Sequence, residues 1–533
     1  MNRRHFVKLS SVATVPALLG GCAALRDSAG LVLEEATIPE LQRAMNDGRF
    51  SAISLTRQYL RRIASLDDSG PRLNSVIELN PDALDIARAL DNERKATGPR
   101  GPLHGIPVLL KDNIDTHDRM MTTAGSLALL GSIAPRDATV ARRLREAGAV
   151  ILGKTNLSEW ANYRGSRSTS GWSGRGGQTR NPYVLDRNPS GSSSGSAAAV
   201  SANLCAFAIG TETDGSIVSP ASHCGIVGLK PTVGLISRAG IIPISHSQDT
   251  AGPMTRTVTD AAVVLGWLTG TDPRDPAAIA TTSAAHREDY TRHLDADGLK
   301  GARLGVARGF FGRTARATRI FNDAIEQLKN AGAELTDPIE LPGYSQFGAA
   351  EGLLMSYEFK AGLNAYLAAL GPNAPVRSLD DVIAFNEKNR DRELQFFGQE
   401  TLLASRERGP LTEPEYLEAV AKAKRVAGKE GIDAVMDQHR LDAIIAPTSG
   451  PAGTVDYLYG DRSEGGSSSL AAVAGYPSIT LPAGHHNGLP VGISFFGRAW
   501  SEGSLLKLAY AFEQRTKARI EPRFFPTLGA ATR

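Results

Sequence analysis

The sequence predicts an α/β protein built as one large domain, and three observations carry that reading. Short apolar runs alternate with amphipathic helical segments along most of the chain, as they do in α/β folds. No internal repeat or linker-like stretch divides the 533 residues, a length that single large α/β domains reach. A Gly/Ser-dense region at 189–231 encloses one apolar helix–strand segment, and linkers do not bury apolar runs.

Taken in order, residues 51–66 carry Ile53, Leu55, Leu60, Ile63 and Leu66 near helical spacing, and 82–94 read as a second helix. The apolar run 106–110 predicts a buried strand that delivers Lys111, Asp112 and Asn113. Helix 139–147 leads into a second such strand within 148–155. In the central region, Ala197 to Val200 favour helix and Cys205 to Ile209 favour a buried strand. Helix 259–269 precedes a polar excursion at 270–300. Strand 303–307, helix 316–331 and strand 333–337 then restore the alternation. Residues 350–440 read as largely helical and charge-rich, a segment expected to cover the site. Strands 442–447, 478–482 and 491–496 and helix 502–516 close the chain.

Composition narrows the function classes. Hydrophobic content of 41% with 22% charged residues is that of a globular protein, and no run of 18 apolar residues provides a spanning helix. The formal charge is +3, of which Arg3, Arg4 and Lys8 supply three, so the remainder sits near zero. That argues against a nucleic-acid surface. The three cysteines, Cys22, Cys205 and Cys224, form no disulfide framework, and no Cys/His cluster has metal-ligand spacing.

The N-terminus is read as separate from the fold. Arg3-Arg4-His5-Phe6-Val7-Lys8 resembles a twin-arginine export signal, and Leu19-Gly20-Gly21-Cys22 resembles a lipobox whose cysteine is lipidated. Residues 1–21 are therefore expected to be a signal peptide and 22–36 a tether. The localisation that follows is that of an exported bacterial protein, periplasmic or anchored to a membrane only through lipid on Cys22. Cys22→Ser checks this: the mature protein should then partition as a soluble species.

Two Gly/Ser clusters dominate the centre: Gly191-Ser192-Ser193-Ser194-Gly195-Ser196 and Thr211-Glu212-Thr213-Asp214-Gly215-Ser216. Glycines permit positive φ and close backbone approach, and successive turn N–H groups form anion-binding nests. A serine beside such a nest is placed to act as a nucleophile. Together with Gly215-Ser216-Ile217 and Gly228-Leu229-Lys230-Pro231, these residues resemble the amidase signature family, over about residues 37–520. The string from Ala208 to Val218 is most similar to the bacterial peptide amidase branch. The wider family usually has Gly and Arg where this chain has Asp214 and Val218.

The resemblance implies a central mixed β-sheet flanked by helices on both faces, an amidase domain over 37–520 and a short tail over 521–533. It implies a Ser–cis-Ser–Lys triad of Ser216, Ser192 and Lys111, with a cis peptide before Ser192. Backbone N–H groups of Thr213, Asp214, Gly215 and Ser216 would hold the oxyanion. No metal or organic cofactor is implied. The partner is a small-molecule or peptide amide substrate, with peptide C-terminal carboxamides the favoured class, and oligomeric state is left open. Read from the residues alone, a lysine after Val108-Leu109-Leu110 is either a charge reaching water or a functional amine, and burial would lower its pKa as a base requires.

Two motifs compete with that reading. Residues 148–155 satisfy G-x-x-x-x-G-K-[ST], but the intervening Ala149, Val150, Ile151 and Leu152 form a strand rather than a phosphate loop. Residues 191–195 satisfy G-x-S-x-G, which would make Ser193 a hydrolase nucleophile, but turn residues precede it where that elbow needs a strand. His223, His246, His286 and His293 leave a serine–histidine triad open on composition. Two rival functions share the expected fold: an amidotransferase A-type subunit working with partners, and a catalytically silent binding lipoprotein. Export and near-zero charge oppose the first; the presence of Lys111, Ser192 and Ser216 opposes the second.

Overall fold

The computed structural model describes residues 33–279, 288–311, 315–462 and 465–529. The leader, Cys22 and His286 lie outside the described residues. Eleven strands form the central sheet: β1 (Val76–Leu79), β2 (Pro107–Lys111), β3 (Val150–Thr155), β4 (Phe207–Glu212), β5 (Val227–Lys230), β6 (Thr250–Thr255), β7 (Arg303–Val306), β8 (Glu334–Thr336), β9 (Ala443–Pro447), β10 (Ser478–His486) and β11 (Leu489–Phe496). Their order is β1-β3-β2-β4-β6-β5-β10-β11-β9-β7-β8.

The sheet is mixed. β3-β2-β4 and β9-β7-β8 run parallel, and the pairs from β4 through β6, β5, β10 and β11 to β9 are antiparallel. Every residue of β2, β3, β4 and β6 is buried, so both faces of the centre are covered, as near-continuous apolar strands require. One large apolar core joins β2, β3, β4 and β10 to helices Ala52–Arg62, Val258–Leu268 and Glu502–Thr516. A second core packs Gly348–Ala369 and Pro414–Lys424 against β9.

Most expected elements are present, with shifted ends. The helix expected over 51–66 stops at Arg62 and continues as a π turn over Ile63–Asp67. The central helix begins earlier than its alanines, at Ser194, and β4 runs on to Glu212, so part of the second Gly/Ser cluster is strand. Neither β5 nor β6 is anticipated as a strand. The described parts of the segments expected as tether and tail, 33–36 and 521–529, pack on the domain: Glu35 pairs with Arg519 at 2.7 Å, and Val184 bridges to Phe525.

Candidate active site

β2 and β4 are neighbours, and their C-terminal ends bring Lys111 to Thr211. Lys111 is fully buried. Its Nζ lies 2.7 Å from Ser192 Oγ, 2.8 Å from Thr211 Oγ1 and 3.2 Å from the Thr211 carbonyl. Asn113 Nδ2 donates to the same Thr211 hydroxyl at 3.0 Å. Burial lowers the Lys111 pKa to about 7, against the smaller opposing pull of the Asp249 and Glu212 carboxyls.

The two Gly/Ser clusters meet beside this lysine. The Gly191–Ser192 peptide is cis. Ser158 N–H donates to the Ser192 carbonyl, and Ser193 N–H donates to the Ser216 carbonyl at 3.1 Å. The second bond ties the residue after Ser192 to Ser216, the one member of the three with slight exposure, at 8%. Ser193 is a strut. Its hydroxyl donates to the Thr211 carbonyl at 3.0 Å and accepts from the Thr211 N–H at 3.2 Å. Gly210 makes room for it, since a Cβ there would lie 2.8 Å from Ser193 Oγ.

Four side chains shape the turn 213–217. Glu212 accepts from the N–H groups of Ile217 and Val218 at 2.8 and 3.0 Å. Thr213 Oγ1 donates to Asp249 at 2.6 Å, and Asp249 also accepts from the N–H groups of Ile244 and Ser245. Asp214 accepts from Ser468 and Ser469, each at 2.6 Å. Gln248 Nε2 donates to the Thr213 carbonyl at 3.3 Å and to Glu351 at 3.0 Å. Gly215 turns at φ +77°, a conformation strained for any residue with a Cβ. Among the described residues, the backbone N–H groups of 213–216 donate no hydrogen bond to the protein. A cavity of about 450 Å³ opens against Asp214, Ser219 and Ser190.

The competing motifs dissolve in this geometry. Lys154 sits on β3 and donates to the Ile114 carbonyl and to Thr122 Oγ1, so residues 148–155 form no phosphate loop. No described histidine bonds to Ser192 or Ser216. Burial pushes the His223 pKa down to about 4, and His246 stands at the surface, bonded to Tyr416. Cys205 and Cys224 are free and buried. The sequence reading gave no role to Asn113, Thr211, Gln248, Asp249 or Glu351. Asn113 ends the strand segment that delivers Lys111 and Thr211 opens the second cluster, but neither carries a motif of its own. Glu351 comes from a helix 103 residues beyond Gln248. The expected cover is real at this point: Glu351 and Glu358 of Gly348–Ala369 reach Gln248, Ser245 and Ser247.

The Amidase family's sequence model matches residues 54–506. The chain belongs to the amidase family. It is 54% identical to the peptide amidase PAM in a crystal structure with the competitive inhibitor chymostatin, covering 92% of this chain and 99% of that one at a TM-score of 0.89. It is also 43% identical over 514 residues to a probable amidase of Arabidopsis thaliana, with 95% of each chain covered. The A-type subunit of a glutamyl-tRNA(Gln) amidotransferase from Thermoanaerobacter pseudethanolicus is 36% identical, with 91% of this chain and 98% of that one covered.

Proposed function

We propose that this amidase hydrolyses carboxamides, above all the C-terminal amides of peptides, through Ser216, Ser192 and Lys111. The observation that carries the reading is the buried Lys111 amine, 2.7 Å from Ser192 Oγ with its pKa near 7. A neutral amine has two protons and one lone pair. It can donate to both Thr211 oxygens while accepting the Ser192 hydroxyl proton, and the ammonium can donate to all three. The pocket therefore suits both states of a proton carrier.

Ser216 Oγ attacks the carboxamide carbon as its proton passes to Ser192 and the Ser192 proton passes to Lys111. The free N–H groups of 213–216 receive the oxyanion, a stabilisation whose loss elsewhere costs roughly 3–4 kcal/mol per donor removed. Collapse breaks the C–N bond, and the proton returns through Ser192 to the departing ammonia. Water then cleaves the acyl ester on Ser216 by the same relay, leaving the carboxylic acid.

The 54% identity to a peptide amidase supports peptide amides over the amidotransferase function, whose A-type subunit matches at 36%. The test is ammonia release and mass change across a panel of peptide amides and simple aryl or aliphatic amides. Ser216→Ala should remove turnover and leave the thermal melt unchanged. A variant that still releases ammonia at the wild-type rate would take Ser216 out of the chemistry.

A further inference from the structure

Scattered apolar residues in water are ordinary, but a contiguous exposed group marks a binding surface. Eleven large hydrophobic residues are exposed among the described residues, and four of them, Phe396, Tyr457, Leu458 and Tyr459, lie on or against one loop that separates the cavity at the nucleophile turn from a second cavity, which Tyr457 lines with Val455 and Arg180. Tyr344 lines the first of these. Residues 457–459 form the crest of a loop whose two ends, Thr454 and Asp461, line it as well. Phe396 stacks on Tyr457 with ring centroids 4.1 Å apart and planes 16° apart.

The loop is built to hold these side chains outward. Asp456 Oδ1 accepts from the N–H groups of Leu458 and Tyr459, each at 3.0 Å, and closes a tight turn. Thr169 Oγ1 donates to the Asp456 carbonyl at 2.9 Å. The Asp461 carboxylate is fixed by the Ser170 N–H at 3.0 Å and Asn188 Nδ2 at 2.8 Å. Gly460, at φ +75°, passes so close to the Arg167 backbone that a Cβ would lie 2.7 Å from its carbonyl. The result is a pinned crest with Leu458 71% and Tyr459 61% exposed. Pinned aromatic side chains give contact area at little entropic cost, which suits recognition.

Given the carboxamide reading above, on which this rests, we propose that the 457–459 crest with Phe396 is a subsite for the peptide upstream of the reacting amide. It would grip apolar side chains a few residues before the C-terminus. A cavity of about 450 Å³ accommodates the terminal residue and part of the next. An extended chain advances about 3.3 Å per residue, so the residues before those must leave past the rim. The loop that rises from the rim at Thr454 and Asp461 carries the exposed Leu458 and Tyr459, whose matched occupant is an apolar peptide.

The experiment compares the full-length wild type with the double variant Leu458→Ser, Tyr459→Ser. One substrate is acetyl-leucinamide; the other is a tetrapeptide amide ending in the same leucinamide with phenylalanine and leucine upstream. The variant should raise KM for the tetrapeptide amide about tenfold, equivalent to about 1.4 kcal/mol, and leave kcat/KM for acetyl-leucinamide within about twofold. An unchanged tetrapeptide KM overturns the subsite. Equal losses on both substrates overturn it too, because the crest would then act through the fold. A shift in sedimentation with both substrates unaffected would assign the crest to a second copy of the chain. A wild type active on neither substrate is a different failure: it refutes the carboxamide reading and takes the subsite with it.

Discussion

Lys111 and Lys154 stand at the ends of adjacent parallel strands, both fully buried, and they are equipped for different work. Leu110 pairs with Lys154, so the two lysines project to opposite faces of the sheet. On one face Lys111 meets only neutral oxygens: Ser192 Oγ, Thr211 Oγ1 and the Thr211 carbonyl. On the other, Lys154 sits among the carboxyls of Asp112 and Asp115, with Thr122 and the Ile114 carbonyl as direct acceptors. Burial lowers both pKa values, and carboxyls oppose it at both, Asp249 and Glu212 at Lys111 and four, Asp112 and Asp115 foremost, at Lys154. A third buried lysine, Lys230, donates to the carbonyls of Tyr476 and Pro231, and burial lowers it to about 8. Burial makes a lysine deprotonable; its neighbours decide whether it has anywhere to send a proton.

The comparison breaks most sharply at Lys111. Lys111→Arg keeps a cation but cannot offer a neutral amine, because guanidinium stays protonated. It should lower kcat/KM by at least about a thousandfold, nearly as far as Lys111→Ala, as loss of a member of a catalytic unit does. An arginine variant within about tenfold of wild type would make Lys111 a structural cation like its neighbour.

Lys154→Met should do the opposite. It removes the cation nearest Asp115 and leaves Asp112 with Arg175 alone, at 3.3 Å, and removing one partner of a buried charged set costs about 3–5 kcal/mol. A lower melting temperature is expected, with the folded fraction keeping near-wild-type kcat/KM at low temperature. A stable but inactive Lys154→Met would erase the distinction between the two lysines.

The smallest effect is expected at Gln248, which touches neither lysine but orients the Thr213–Asp214 peptide through the Thr213 carbonyl. Gln248→Met should cut kcat about tenfold with KM little changed, less than the ~100-fold loss from deleting an oxyanion donor outright. A rise in KM at constant kcat would place Gln248 in substrate binding instead.

How much of this was legible in the sequence follows from the same contrast. β2, β4 and β9 were readable because apolar runs bounded by turn residues signal buried strands. β6 was not. Its Thr250-Ala251-Gly252-Pro253-Met254-Thr255 contains a glycine and a proline that argue against a central strand. The fold uses both: Gly252 faces Gly210 across β4, a Cβ there would lie 2.0 Å from the Leu229 carbonyl, and Pro253 pairs with Ile209. Lys111, Ser192 and Ser216 were named through resemblance, and the geometry links Lys111 directly to Ser192. Thr211, Asn113, Gln248 and Glu351 stayed hidden because their roles arise from strand pairing and from a helix packed across the turn, and neither leaves a local pattern. The P-loop lookalike failed for the same reason in reverse: its local pattern is complete, but its residues are a strand.

The most direct test of the central claim is kcat/KM for a peptide amide from about pH 5 to 9, in wild type and in Asp249→Asn. A base must be neutral in the free enzyme, so activity should rise with pH along an acidic limb near the Lys111 pKa of about 7. Asp249 itself is raised by burial to about 6, and its charge helps hold the lysine ammonium. Removing that charge should keep an acidic limb but move it to lower pH. A profile flat across the range, or a limb that vanishes in Asp249→Asn, would show that the titrating group is not Lys111, and the relay through Ser192 would have to be given up.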